Sequence, residues 1–304
     1  MHRPSLSLSG VFPPIPTPFD DNGDIAFEAL IGNLQRWNQY DLAGYVVLGS
    51  NGEGVYLTAA EKVRVWETAR RAIPADKLLI AGTGAESTRE TAGLSLKATE
   101  AGADAVLVLT PHYYGGQMTQ QALSHHFRTV ADHVPVPMLL YNMPRLTQVN
   151  LSATTVAQLS RHPNVIGIKD SGGDLGKLAE IISRADDSFQ VLAGSASFFF
   201  PALTLGAAGG VMALANVAPQ RLIDLHNWFK AGDWDRAAAL QQRLVPVNTA
   251  VTSGLGVPGL KAALDMFGYY GGPPRSPLQV LDSQDRQALE AILLEGDLLG
   301  DAAG

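Results

Sequence analysis

Short apolar runs rich in Val, Ile, Leu and Gly alternate along most of this chain with longer stretches whose apolar positions recur at helical spacing. Gly10–Pro16, Gly44–Gly49, Leu78–Gly82, Ala105–Thr110, Pro137–Asn142, Val165–Lys169, Gln190–Gly194 and Gly209–Ala213 read as strands. Each is followed by a helix-like stretch, such as Ala59–Ile73 or Thr88–Ala101. Eight consecutive strand–helix units predict an α/β chain folded as a closed (β/α)8 TIM barrel rather than an open doubly wound sheet. Closure removes both sheet edges and permits uniformly short connections. The barrel is expected to occupy residues 1–232.

After the eighth helix, Pro219–Lys230, the pattern stays helical over Trp234–Val251, Leu260–Phe267 and Gln284–Leu294, with a Gly- and Pro-containing break at Gly254–Gly259. Residues 233–304 therefore read as a C-terminal helical region. The break is too short and apolar for a flexible linker, so these helices are expected to dock on the barrel or on a neighbouring subunit. The last five residues, Gly300–Gly304, are expected to fray.

Composition narrows the function. Of the 304 residues, 46% are hydrophobic and 17% charged, enough apolar side chain to bury a full core. The net charge of -7 and the absence of any dense Lys/Arg run argue against a nucleic-acid partner. Without cysteine there is no disulfide, thiolate metal site or Cys nucleophile. The N-terminus, Met1-His2-Arg3-Pro4, leads into alternating Ser and Leu rather than an apolar signal core, and no apolar stretch nears the roughly 20 residues of a spanning helix. A cytoplasmic protein without a membrane partner is expected.

Barrel enzymes carry their chemistry at the C-terminal ends of strands and in the loops that follow. Six of the seven lysines have bland positions: Lys62, Lys97, Lys177, Lys230 and Lys261 fall in helix-like stretches, and Lys77 precedes a strand. Lys169 instead ends the apolar run Val165-Ile166-Gly167-Ile168, which points its amine into the barrel mouth. An amine must be neutral to attack a ketone carbon, and apolar surroundings favour that form, as Schiff-base catalysis requires. The alternative is that Lys169 merely pairs with Asp170 or another carboxylate. Tyr141 ends the preceding strand, and a phenol beside an amine can move protons through carbinolamine, imine and enamine stages; otherwise it is an ordinary half-buried tyrosine. The loop Gly49-Ser50-Asn51-Gly52-Glu53-Gly54 offers hydroxyl, amide and backbone donors for a carboxylate, or is a glycine-rich turn without a ligand. Gly82-Thr83-Gly84 and His125-His126 lack the context of a dinucleotide or metal site and read as a turn and a surface helix. Gly206–Gly210 is assigned no ligand, since glycine there can serve close packing alone.

Taken together, Gly49-Ser50-Asn51-Gly52-Glu53, Tyr141-Asn142-Met143-Pro144 and Gly167-Ile168-Lys169-Asp170 resemble the dihydrodipicolinate synthase/N-acetylneuraminate lyase family, from about Gly10 to the C-terminal helices. The resemblance implies Lys169 as the imine-forming residue, Tyr141 as the proton relay, and Ser50 with Asn51 on the carboxylate of a pyruvate unit. It also implies Tyr113, in Thr110-Pro111-His112-Tyr113-Tyr114, as a relay tyrosine acting across a subunit contact in a homotetramer, a dimer of dimers. The implied partner is a small 2-oxo acid. No metal or other cofactor is expected, because the imine itself is the electron sink.

Two departures bear on the substrate. Synthases of this family usually carry two threonines where this chain has Ser50 and Asn51, and an arginine for the second substrate's carboxylate where it has Leu146. Arg145, one residue away, is expected to point elsewhere. Together with Leu192-Ala193-Gly194-Ser195 and Phe267-Gly268-Tyr269-Tyr270-Gly271-Gly272-Pro273, the motifs resemble the 4-hydroxy-2-oxoglutarate aldolase branch and add Gly194 and Ser195 as substrate-binding candidates. The expected reaction is retro-aldol cleavage of 4-hydroxy-2-oxoglutarate to pyruvate and glyoxylate. Its rivals are condensation of pyruvate with aspartate semialdehyde, cleavage of a 2-keto-3-deoxy sugar acid and, more distantly, a non-catalytic binding protein on the same barrel.

Overall fold

The computed structural model describes residues 6–299; the expectations about the extreme N-terminus and the last five residues lie outside it. The strands are β1 (Gly10–Phe12), β2 (Pro14–Ile15), β3 (Gly44–Val47), β4 (Leu78–Gly82), β5 (Ala105–Leu109), β6 (Met138–Asn142), β7 (Val165–Asp170), β8 (Gln190–Ala193) and β9 (Gly209–Val211). The helices between them are α1 (Phe27–Trp37), α2 (Ala59–Ala72), α3 (Thr88–Glu100), α4 (Gln120–His133), the short α5 (Pro144–Thr147), α6 (Ala153–Leu159), α7 (Leu175–Arg184) and α8 (Phe199–Leu205). After β9 come α9 (Pro219–Lys230), α10 (Trp234–Thr249), α11 (Gly256–Met266) and α12 (Ser283–Glu295). Helix starts follow local chemistry. Thr58 and Glu61 form a reciprocal capping box at α2, and Ser87, Thr119, Ser152, Asp174 and Asp282 each accept a backbone N–H at the start of their helices.

All the strands pair in parallel, in the order β1-β9-β8-β7-β6-β5-β4-β3-β2. The expected first strand, Gly10–Pro16, is interrupted at Pro13, because consecutive prolines remove two ladder donors. Its halves face different neighbours and close the ring: the Phe12 carbonyl accepts from Met212 N at 3.1 Å, and the Pro13 carbonyl from Val46 N at 3.0 Å. Nine strands thus make an eight-stave (β/α)8 barrel. Gly209 lies against Gly10 so tightly that a Cβ at 209 would stand 2.3 Å from the Gly10 carbonyl oxygen, which accounts for this glycine by packing.

Strand alternation divides the core into two. Phe12, Val46, Ile80, Leu107, Leu139 and Leu192 fill the barrel interior beneath Tyr141, with Leu8 among them. A second layer, including Trp37, Trp66, Phe127 and Phe199, packs between sheet and helices. No helix of the described residues is long and apolar enough to cross a membrane.

The expected break at Gly254–Gly259 narrows to a single turn at Leu255–Gly256. The chain widens into a π-helical turn, Ala250–Gly254, and α11 resumes at Gly256, whose φ of 61° lies in the left-handed region. Pro258 falls in the first turn of α11, where its missing N–H removes no helical bond. The C-terminal helices dock on the barrel: the Gln241 amide donates to the Ala196 carbonyl at 2.7 Å and accepts from Phe200 N at 2.8 Å. Beyond α11 the chain returns to the barrel. The Arg275 guanidinium donates to the carbonyls of Gly23 and Tyr56 and, at 2.6 Å, to Glu61 Oε1.

The Arg275 hydrogen bond, with those from Thr58, lowers the Glu61 carboxyl from its ordinary 4.5 to about 2, against the opposing effect of burial. A carboxyl held below its unfolded value contributes stability that is complete above about pH 4.5 and lost as pH falls toward 2. Arg275→Met should therefore lower the thermal midpoint at pH 7, and its deficit relative to the unsubstituted protein should shrink as the pH is taken from 5 to 2.5. Thermal unfolding followed by circular dichroism across that range checks this.

Candidate active site

The register of β6 and β7 sets Tyr141 directly beside Lys169 and Asn142 beside Asp170. Adjacent residues on a strand face opposite ways. Lys169, 3% exposed, accordingly shares the barrel mouth with Tyr141, while Asp170 turns outward between sheet and helices. Lys169 Nζ lies 4.1 Å from the centroid of the Tyr141 ring. Asp170 is engaged elsewhere: its Oδ2 accepts from Lys177 Nζ and Asn142 Nδ2, both at 2.9 Å, and its Oδ1 from Gly172 N. The alternative in which Lys169 pairs with Asp170 is thereby excluded, and Lys177, a bland helix lysine in the sequence, becomes the partner of that carboxylate.

Above this pair opens a cavity of about 720 Å³, lined among others by Ser50, Asn51, Tyr141, Lys169, Gly194 and Ser195. Six of the seven sequence candidates thus meet in one place. The hydroxyl of Ser50 stands 3.3 Å from that of Tyr141. Burial raises the Tyr141 phenol, but the neighbouring Lys169 charge and hydrogen bonds with Ser50, Lys169 and Ser171 outweigh it, leaving the phenol below its ordinary value. Such a phenol releases a proton more readily than an isolated tyrosine, as a relay needs. The seventh candidate, Tyr113, is not brought into the cavity by its own chain. It is 77% exposed and packs edge-on against Tyr114 at 5.0 Å between ring centroids.

The loop carrying Ser50 and Asn51 is held in an uncommon conformation. Leu48 and Glu53, at its two ends, both have φ in the left-handed region, 61° and 54°, which costs a non-glycine residue about 1 kcal/mol or more. Gly82 makes room for it, since a Cβ there would stand 2.2 Å from the Leu48 carbonyl oxygen. Glu53 is secured from the C-terminal region: its Oε1 pairs with Lys261 Nζ at 2.7 Å and its Oε2 accepts from Arg275 N at 2.8 Å. Both side chains of the ion pair are 1% exposed, and Lys261 also donates to the Pro273 carbonyl at 2.9 Å. Sequence reading missed this contribution, because nothing in the helical spacing around Lys261 points to a carboxylate over 200 residues away.

Arg145 and Leu146, the latter 52% exposed, both belong to the cavity wall. His126 is buried rather than on a surface, with its Nδ1 2.9 Å from Thr88 Oγ1, and burial takes it down to about 4. Ser171 and Ser197, which stood inside or beside the quoted motifs without a role, line the cavity, as do Val251–Pro258 of the π turn and early α11. No group of three or more His, Cys, Asp or Glu among the described residues is placed to hold a metal ion.

The pattern of the dihydrodipicolinate synthetase family matches residues 7–295. The 4-hydroxy-tetrahydrodipicolinate synthase of Methanoculleus marisnigri is 35% identical over 290 residues, covering 94% of this chain and 99% of that one. An uncharacterized DapA-like lyase of Halobacterium salinarum is 38% identical, covering 97% and 96%. Among solved structures, dihydrodipicolinate synthase from Bacillus anthracis superimposes with a TM-score of 0.91 at 32% identity, over 95% of this chain and 98% of that one. A prophage protein of E. coli K12 from the dihydrodipicolinic acid synthase family, solved in complex with pyruvate, gives 0.89 at 29% identity, over 96% and 99%.

Removing one member of the Glu53–Lys261 pair leaves a buried charge without its counterpart. Lys261→Met should destabilise the protein by about 3–5 kcal/mol, and the double variant Glu53→Gln/Lys261→Met should recover part of that loss. Urea unfolding of the two variants checks both expectations.

Proposed function

The chain belongs to the dihydrodipicolinate synthetase family of Schiff-base lyases, and from that premise we propose that it makes or breaks a carbon–carbon bond next to a pyruvate unit through an imine on Lys169. The observation that carries this reading is the buried Lys169 amine over the Tyr141 ring, with its neighbouring carboxylate already engaged by Lys177.

In this reading the Lys169 amine attacks the ketone carbon of pyruvate, and loss of water from the carbinolamine yields the imine. Departure of a methyl proton turns the imine into an enamine, whose carbon attacks an aldehyde; the cleavage direction runs the same steps backwards. Tyr141 carries protons to and from these intermediates, and Ser50 and Asn51 hold the carboxylate. Tyr113 joins the relay only from a neighbouring subunit, in keeping with its exposure on its own chain, and we take the assembly to be a homotetramer.

Aspartate semialdehyde becomes the first acceptor to test, because relatives at 34–36% identity are named 4-hydroxy-tetrahydrodipicolinate synthases. The preference for 4-hydroxy-2-oxoglutarate drawn from motifs finds no support among these names. It stays as a second reading on one observation: the cavity wall offers Leu146 where a synthase carries the arginine for its second carboxylate.

Borohydride added with pyruvate should fix a covalent adduct on the peptide containing Lys169. An active protein whose Lys169 peptide stays unmodified sinks the mechanism. Tyr141→Phe should lower kcat by about 10²–10⁴ while still forming the adduct. Steady-state assays with pyruvate plus aspartate semialdehyde, beside pyruvate release from 4-hydroxy-2-oxoglutarate, decide the acceptor.

A further inference from the structure

Across the mouth from Ser50, the loop after β8 carries two serines that line the cavity, and α10 brings up behind them an asparagine that is 1% exposed. The Asn248 amide nitrogen donates to Ser195 Oγ at 3.0 Å and to Ser197 Oγ at 2.7 Å. Its oxygen, Oδ1, is buried without a partner. Reversing the amide would instead bury two N–H groups without acceptors, which is worse than one under-used carbonyl.

A serine hydroxyl has two acceptor lone pairs and one proton. Ser195 Oγ accepts from Asn248 and also, at 3.3 Å, from Ser197 N, so both its lone pairs are taken. Its proton is left to donate, and Ser195 lines the cavity; Ser197, which also lines it, accepts from Asn248 and keeps its own proton and one lone pair. The amide thus leaves Ser195 able only to donate and biases Ser197 toward donating. A carboxylate, which only accepts, is the group such a pair fits best.

The place of the pair in the ring says which carboxylate this is. β8 adjoins β7, which carries Lys169, whereas the Ser50–Asn51 loop follows β3, three staves away through β9 and the β1–β2 stave. A pyruvate unit on Lys169 with its carboxylate at Ser50 and Asn51 leaves the β8 end for the aldehyde half. We propose that Asn248 is a positioning residue that leaves Ser195 a donor and biases Ser197 toward donating, and that this pair takes the carboxylate of the aldehyde substrate in place of an arginine at position 146. The proposal rests on the Schiff-base reading above and concerns how that site holds the carboxylate that both candidate aldehydes carry.

The test compares aspartate semialdehyde and glyoxylate with the uncharged glycolaldehyde as acceptors for pyruvate, alongside borohydride trapping of pyruvate alone. Ser197→Ala should raise KM for the carboxylated aldehyde about tenfold, with little change for glycolaldehyde and with pyruvate trapping intact. Asn248→Asp should do more, because its carboxylate would draw both serine protons away from the cavity. Should that variant fail to fold, the double variant Ser195→Ala/Ser197→Ala carries the test. Unchanged KM for the carboxylated aldehydes, an equal loss for glycolaldehyde, or no preference for carboxylated aldehydes in the unsubstituted protein overturns the proposal while pyruvate trapping persists. Failure of the unsubstituted protein to trap pyruvate overturns the Schiff-base reading, and the proposal with it.

Discussion

Closure of the parallel sheet is the constraint from which the site follows. Once the Phe12 and Pro13 carbonyls tie the first stave to its two neighbours, no strand edge remains, and strand alternation leaves every second side chain facing inward. An interior packed with Phe12, Ile80, Leu139 and Leu192 has no room for charge except at its open end. A lysine at the end of β7 is therefore held at the rim of an apolar plug, beside a tyrosine that the β6–β7 register fixes as its neighbour. The glycine contact between β9 and β1 belongs to the same constraint, since any side chain at Gly209 would press on the joint that shuts the ring.

The regions usually called accessory are tied to this site by charge and hydrogen bonding rather than by apolar contact alone. Lys261 and Arg275 meet Glu53 beneath the loop that carries Ser50 and Asn51, and Asn248 stands behind Ser195 and Ser197 on the other side of the mouth. Burying an ion pair is costly and stabilises little by itself. Here it anchors the side chain of Glu53, whose own backbone lies in the left-handed region. The C-terminal helices thus complete the cavity on which the proposed chemistry depends.

Asp170 illustrates how one contact decides the meaning of another. Beside a candidate imine-forming lysine, an unengaged buried carboxylate would be the obvious partner for the amine. Lys177 and Asn142 take it up instead, on the far side of the strand, so Lys169 faces the cavity without that ion pair.

The barrel, the staves and the strand-end positions of Lys169 and Tyr141 were legible in the chain itself, because short-range periodicity and strand alternation are local properties that any stretch of about ten residues displays. The Ser50–Asn51 loop was legible as a possible carboxylate cradle, and motif resemblance added Tyr113, Gly194 and Ser195; the fold gathered all of these but Tyr113 around one cavity. What only the tertiary structure decided are the partners: Lys261 with Glu53, Lys177 with Asp170, Arg275 with Glu61, and Asn248 with the two serines. Each depends on groups brought together by closure of the barrel and docking of the C-terminal helices, and no local periodicity records where a charge or an amide will find its counterpart after the chain has folded back on itself.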